Sequence, residues 1–302
     1  MSKITPHLWF DIQAKEAAEF YSEVFPDSHM ANVTTLRDTP SGDCDVVSFS
    51  VWGHDFMAIS AGPLFQFNPS ISFMVNFDPA SLPDAAQVLD SVWAQLVEGG
   101  NALMPLGEYP FSERYGWVAD RYGVSWQLIL SETEGDPRPT IVPSLMFTGP
   151  VCGRAAEAGE YYVSIFDDSE RGQLVPYPEG SEPDEAGTTM FSDFRLADCW
   201  VAAMDSAHDH GFGFNEAVSL IIRCADQGEI DHYWERLSAV PEAEQCGWLK
   251  DRFGVSWQVT PIDLDRMMAE GTQEQVDRVT QAFLPMRKFD LAALRAAYAG
   301  DG

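Results

Sequence analysis

Positive charge is scarce in this sequence. Of 302 residues, 18 are Lys or Arg against 47 Asp or Glu, a formal net charge of −29, and both halves of the chain share the excess. Such a surface repels phosphate backbones and anionic lipid, so neither nucleic acid nor a membrane is an expected partner. No run of 18 apolar residues occurs, which excludes a helical membrane span. The opening Met1-Ser-Lys-Ile-Thr-Pro-His carries no apolar signal core, and the expected location is the cytoplasm. Cysteine is sparse: Cys44, Cys152, Cys199, Cys224 and Cys246 make an odd set with no C-x-x-C, which argues against a disulfide framework and a structural zinc site. Also lacking are G-x-S-x-G, H-E-x-x-H and P-loop patterns. The acidic pairs are scattered, so a carboxylate dyad of the glycosidase kind has no support either.

What the chain does have is a repeat. Tyr115–Gln127 reads YGWVADRYGVSWQ and Cys246–Gln258 reads CGWLKDRFGVSWQ, identical at nine of thirteen positions. The helices repeat too. Ala17, Phe20, Tyr21, Val24 and Phe25 share the i, i+3, i+4, i+7, i+8 spacing of Ala158, Tyr161, Tyr162, Ile165 and Phe166, an apolar stripe on one helix face. A second pair of stripes follows, through Ala85, Val88, Leu89, Val92, Trp93 and Leu96, and through Ile230, Tyr233, Trp234 and Leu237. Strand-like runs stand between and after them: Val46–Val51, Phe56–Ser60, Ser70–Phe77, Leu103–Leu106, Gly116–Asp120 and Ser125–Leu130, then Met190–Leu196, Trp200–Met204, Ala217–Cys224, Cys246–Asp251 and Ser256–Pro261. Each half therefore reads β-α-β-β-β twice. The segments 15–45 and 172–187 read as variable connections, the second as a loop. Polar Ser131–Thr140 separates the halves. The predicted organisation is an α+β domain over 1–133, a linker over 134–140, a second such domain over 141–262, and a helical extension over 263–302 that caps the tandem.

Several stretches resemble the PhnB-like family of the vicinal oxygen chelate (glyoxalase/bleomycin-resistance/dioxygenase) superfamily, whose members are often labelled 3-demethylubiquinone 3-methyltransferase. They are Glu19-Phe-Tyr-Ser-Glu-Val-Phe-Pro, Phe214-Asn-Glu-Ala-Val-Ser-Leu, Glu229-Ile-Asp-His-Tyr-Trp-Glu-Arg-Leu, Cys246–Gln258, and the closing Met286-Arg-Lys-Phe-Asp-Leu-Ala-Ala-Leu. The resemblance implies two tandem glyoxalase-like domains, each a pair of βαβββ units whose curved mixed sheets enclose a cleft. It also implies a ligand set on the first, fifth and last strands. Here those positions hold His7, Ser72 and Gln127 in the first half, and Ser144, Ser219 and Gln258 in the second. Such a set is depleted for a catalytic metal, which takes imidazoles or carboxylates. No cofactor is expected, and His7 and Gln127 are the only weak candidates for a divalent ion.

Each of these residues also has a plain structural reading. His7 is either a cleft-facing ligand or a strand-end histidine with one hydrogen bond. Gln127 and Gln258 are either substrate anchors or ties between strands, because a buried amide must be bonded. Trp126 and Trp257 alternate with them and face the opposite side, into the core. Asp120-Arg121 and Asp251-Arg252 read as charge pairs at hairpin turns, and Cys246 as an unreactive thiol. No glycine-rich strand-to-helix loop supports S-adenosylmethionine binding, so methyl transfer is not the expected activity. The expectation is a small-molecule binding protein or a divergent metal-free activity. The alternative is a metal-dependent glyoxalase- or dioxygenase-like enzyme using a cleft near His7 and Gln127. The partner is a small-molecule ligand, and the chain is either a monomer built as an internal pseudo-dimer or a homodimer.

Overall fold

The computed structural model describes residues 2–131 and 138–301. Most of the 134–140 linker lies outside the described residues. The chain forms two compact units, one of residues 1–22, 27–66 and 215–302, the other of residues 23–26 and 67–214. The compact units thus do not coincide with the two sequence halves.

The first unit holds a seven-stranded sheet. Its N-terminal strands are β1 (Ile4–Phe10), β2 (His29–Thr39), β3 (Gly42–Val51) and β4 (His54–Ser60). Helix α1 (Ala14–Val24) connects β1 to β2. The second unit opens with β5 (Ile71–Phe77), α2 (Ala85–Val97), β6 (Asn101–Tyr109), β7 (Ser112–Ala119) and β8 (Ser125–Leu130). It continues with β9 (Ile141–Thr148), α3 (Ala155–Val163), β10 (Glu170–Pro176), β11 (Thr189–Leu196) and β12 (Cys199–Ser206). The chain then returns to the first unit with β13 (Val218–Cys224), α4 (Gln227–Leu237), β14 (Trp248–Lys250) and β15 (Ser256–Pro261). The tail is α5 (Ile262–Glu270), α6 (Gln273–Phe283) and α7 (Leu291–Ala299).

Strand order is β14-β15-β13-β1-β4-β3-β2 in one sheet and β10-β11-β12-β9-β5-β8-β7-β6 in the other. Each sheet therefore joins one unit from each half of the sequence: two βαβββ units in the eight-stranded sheet, and in the seven-stranded sheet one βαβββ unit with a shorter βαββ unit, since only β14 and β15 follow α4 where a third strand was expected. The joins are antiparallel: β1 on β13, with His7 opposite Ser219, and β5 on β9, with Ser72 opposite Ser144.

Period-2 alternation gives each sheet two distinct faces. In the first unit Leu8, Phe10, Phe49, Phe56, Leu220 and Trp257 are buried on the side of α1, where the Tyr21 and Phe49 rings stack 6.1 Å apart. The opposite face carries Thr5, His7, Trp9, Ile59, Ser219, Arg223 and Gln258. The tail packs here: Leu264, Met267, Val276, Val279, Phe283 and Leu294 form one apolar cluster with Leu36, Cys44 and Ala61, against which Trp9, Val46 and Ile59 rest. Local chemistry fixes the tail helices. Thr272 and Gln275 make a capping box on α6, and Asp290 caps α7 through the Ala293 amide. A buried ion pair also docks it, Arg223 Nε to Asp265 Oδ2 at 2.7 Å, and the same guanidinium donates to Thr5 Oγ1. In the second unit α2 and α3 cover the face of Phe73, Trp126, Leu128 and Phe194.

Three sequence expectations need correction. The connection 15–45 contains α1 and the long strand β2, and the loop 172–187 begins inside β10. Strands β2 and β10 are both edge strands; β10 is exposed along most of its length, and the partly covered positions of β2 run consecutively from Val33 to Leu36, so neither shows the alternation that marks a half-buried strand. The strand expected over Cys246–Asp251 shrinks to Trp248–Lys250, because Cys246 and Gly247 sit at φ 51 and 81.

Candidate functional site

The six candidate residues gather as two trios, and the sheet joins re-sort them across the sequence halves. In the first unit His7 on β1 faces Ser219 on β13, and Gln258 Nε2 donates to Ser219 Oγ at 2.9 Å. The Trp248 ring meets the His7 ring edge-on at 5.4 Å. In the second unit Ser144 on β9 faces Ser72 on β5, and Gln127 Nε2 donates to Ser72 Oγ at 2.8 Å. His7 and Gln127, expected in one cleft, stand in different units. The physical reason is strand pairing: β1 joins β13, while β8, which carries Gln127, joins β5.

Both glutamines tie neighbouring strands together. Gln127 is held at both ends, since its Oε1 accepts from the Tyr115 hydroxyl at 2.7 Å. Burial raises the Tyr115 pKa well above its ordinary value, so the phenol stays a donor. Cys246, the counterpart of Tyr115, turns to the tail instead, its thiol reaching the Leu284 carbonyl at 3.5 Å. Burial pushes that thiol up to about 11, which leaves it protonated and unreactive at neutral pH.

His7 is 4% exposed, and its Nδ1 is buried with no partner among the described residues. Desolvation lowers its pKa to about 3, so the imidazole is neutral at physiological pH. Ser144 Oγ is likewise buried and unpartnered among the described residues.

The Asp at each hairpin turn serves as an acceptor for the turn and the core. Asp120 accepts from the amides of Tyr122 and Val124 and from Trp126 Nε1, and Asp251 repeats this with Phe253, Val255 and Trp257. This explains why D-R-x-G-V-S-W is kept in both copies: one buried carboxylate closes the turn and fastens the core indole beside the glutamine.

Metal ligation was tested against the same residues. Each trio offers at most one imidazole among neutral hydroxyls and amides, and no three His, Cys, Asp or Glu side chains converge anywhere among the described residues. This donor set does not fit a firmly held divalent ion.

A family model described as 3-demethylubiquinone-9 3-methyltransferase matches residues 2–129 and again residues 139–260. The chain belongs to that family. It carries the PhnB-like unit twice, and the two matches coincide with the two copies of the repeat. A PhnB protein from Bacillus cereus is 34% identical over 43% of this chain and all of its own, with a TM-score of 0.39. A protein from Pseudomonas aeruginosa is 23% identical over 43% of this chain and 98% of its own, with a TM-score of 0.36. Glyoxalase I from Zea mays is 9% identical yet spans 89% of this chain and 98% of its own at a TM-score of 0.55, a likeness of fold alone. Among curated proteins, none matches the chain.

For this PhnB-like protein the repeat made the glutamines visible, and the family resemblance pointed to the serines. Sequence reasoning passed over Tyr115 as a site residue, treating it only as the counterpart of Cys246. The signal was present in principle, as Tyr115 and Trp117 alternate on the strand beside Gln127. Reading it required the β7–β8 register, which sets Trp117 opposite Gln127 and Tyr115 opposite Ile129 on the same face. No helix among the described residues is long and apolar enough to cross a membrane.

Proposed function

We propose that this PhnB-like protein binds a small molecule without a metal, on the face of the second unit's sheet that carries Ser72, Gln127 and Ser144. One observation carries the reading: a buried polar chain, Tyr115–Gln127–Ser72, with Ser144 unpartnered among the described residues beside it, has Met74, Val142 and Met146 as its neighbours along β5 and β9 on that face. Polar groups in such surroundings destabilise the fold unless bonded, so a lone buried hydroxyl is better explained by a ligand than by packing. The first unit has the matching trio His7, Ser219 and Gln258, but the C-terminal helices occupy the same face, packed against Trp9, Val46 and Ile59. One ligand per chain is expected. Because both sheets are completed within one chain, the protein is proposed to work as a monomer.

The test combines elemental analysis with ligand-detected NMR on the purified 33.5 kDa protein. The expected results are less than a tenth of an equivalent of zinc, iron, manganese or nickel, and binding of neutral small molecules that chelator treatment leaves unchanged. A stoichiometric metal removed by chelator together with binding would overturn the proposal in favour of a glyoxalase- or dioxygenase-like enzyme. Light scattering showing a dimer would overturn the monomer.

A further inference from the structure

The geometry points to a neutral carbonyl compound as the ligand of the second unit, its oxygen received by two serine hydroxyls and its ring by an aromatic cluster. This rests on the small-molecule reading above and narrows it to a class.

The polarity of the hydrogen bonds carries the argument. Tyr115 donates to Gln127 Oε1, which fixes the amide so that Nε2 points at Ser72. Ser72 Oγ is therefore an acceptor in that bond, and its own proton is directed elsewhere. No acceptor for it stands among the described residues. Directly opposite on β9, Ser144 Oγ has no partner of any kind among them. Both side chains are 1% exposed. Two hydroxyl protons on facing strands, each removed from water and neither used by the fold, call for an acceptor between them. A carbonyl oxygen accepts two such donors through its two lone pairs.

The ligand's charge follows from the surroundings. Beside the two serines stand Met74, Val142 and Met146, all apolar. Asp193, on the same face, is already engaged by Arg138 Nε at 2.8 Å and the Gln173 amide at 2.6 Å. The cations that the described residues place on this face, Arg138 and Arg195, are paired with Asp193 and Glu170, so neither is left to receive a carboxylate or phosphate. The ligand's shape follows from the β6–β7 hairpin. The Tyr115 ring meets Tyr109 and Phe111 edge-on at 5.5 and 5.0 Å, and those two stack on each other at 5.8 Å. Phe111 is 55% exposed, so these rings run from the surface to the Tyr115–Gln127 bond and offer faces and edges to a planar ligand.

Three compounds of nearly one shape test this on the full chain: acetophenone, with a ketone; ethylbenzene, with no oxygen; and benzoate, with a charge. Dissociation constants come from ligand-detected NMR, and the carbonyl stretch of bound acetophenone from difference infrared spectroscopy. Acetophenone is expected to bind at least ten-fold more tightly than either of the others, with its stretch lowered relative to an apolar solvent. The double variant Ser72→Ala/Ser144→Ala, two small changes compatible with the strand, is expected to bind acetophenone and ethylbenzene equally and to restore the apolar stretch. Equal binding of ethylbenzene by the natural chain would overturn the carbonyl assignment while leaving the small-molecule reading intact. Undiminished discrimination in the double variant would remove the serines from it. If none of the three binds at millimolar concentration, both readings fall and the hydroxyls serve only a buried water.

Discussion

Ser72 and Ser144 occupy facing positions in the same register and are equally buried, yet replacing them by alanine should move stability in opposite directions. Ser144 Oγ is buried and has gained no partner among the described residues. An unsatisfied buried hydroxyl costs about 1–3 kcal/mol, so Ser144→Ala, which removes the group and leaves a gap of one oxygen, should stabilise by about 1 kcal/mol. Ser72 accepts from Gln127 Nε2, and Gln127 in turn is the acceptor for Tyr115. Ser72→Ala takes away a bond worth about 1 kcal/mol and strands a buried amide proton worth about as much again, a loss of roughly 2 kcal/mol. The difference between the two variants is then roughly 3 kcal/mol. Urea unfolding followed by circular dichroism reads it directly, as midpoints moving up for Ser144→Ala and down for Ser72→Ala at constant m-value. If both variants lose stability by similar amounts, Ser144 is bonded after all and the orphaned hydroxyl is refuted.

Other perturbations give equally definite signs. His7, with a folded pKa of about 3 against 6.5 unfolded, takes up its proton more readily in the unfolded chain. It therefore contributes full stability above pH 6.5 and loses about 1.4 kcal/mol per pH unit as the pH falls towards 3, so His7→Gln should flatten the acid limb of a stability–pH curve over that window relative to the natural chain. Asp265→Ala strands the buried Arg223 guanidinium at a cost of about 3–5 kcal/mol, whereas Arg223→Leu/Asp265→Leu should return most of it; denaturant titration of both distinguishes a desolvated charge from lost packing. Gly116→Ala would set a Cβ 2.5 Å from the Trp93 ring and should cost about 1–3 kcal/mol by thermal denaturation. Gly247→Ala, which adds a contact with Phe289 to a φ of 81, should cost more.

The sequence disclosed what is periodic and what is duplicated. The stripe Ala85, Leu89, Val92 and Leu96 is the buried face of α2. The repeated Trp-Gln dipeptide alternates as a half-buried strand must, indole to the core and amide to the other side. The edge strands β2 and β10 escaped because β10 is exposed nearly throughout and β2 is covered in one consecutive run beneath the tail, so neither leaves an alternating pattern to read. The grouping of site residues escaped for another reason. Sequence repetition reports descent, not adjacency, and nothing local in His7 or Ser219 says that β1 seeks β13 rather than a strand of its own half. The tail's role was half legible. Its apolar helices announced a capping function, while the face they cover followed only from the packing of Leu264 and Met267 on Leu36.

The pairing of β1 with β13 sets the order in which the molecule can be finished during synthesis. The stretch 67–214 is continuous and can close its sheet once it has left the ribosome, while β1 to β4 wait with one open edge and one uncovered face until the last third of the chain emerges. An open strand edge beside exposed Trp9, Val46 and Ile59 is where a nascent chain aggregates or pairs with a neighbour. The segments after residue 214 then act as closure for β1 to β4, and a ribosome stalled after β12 leaves those strands still without their partner.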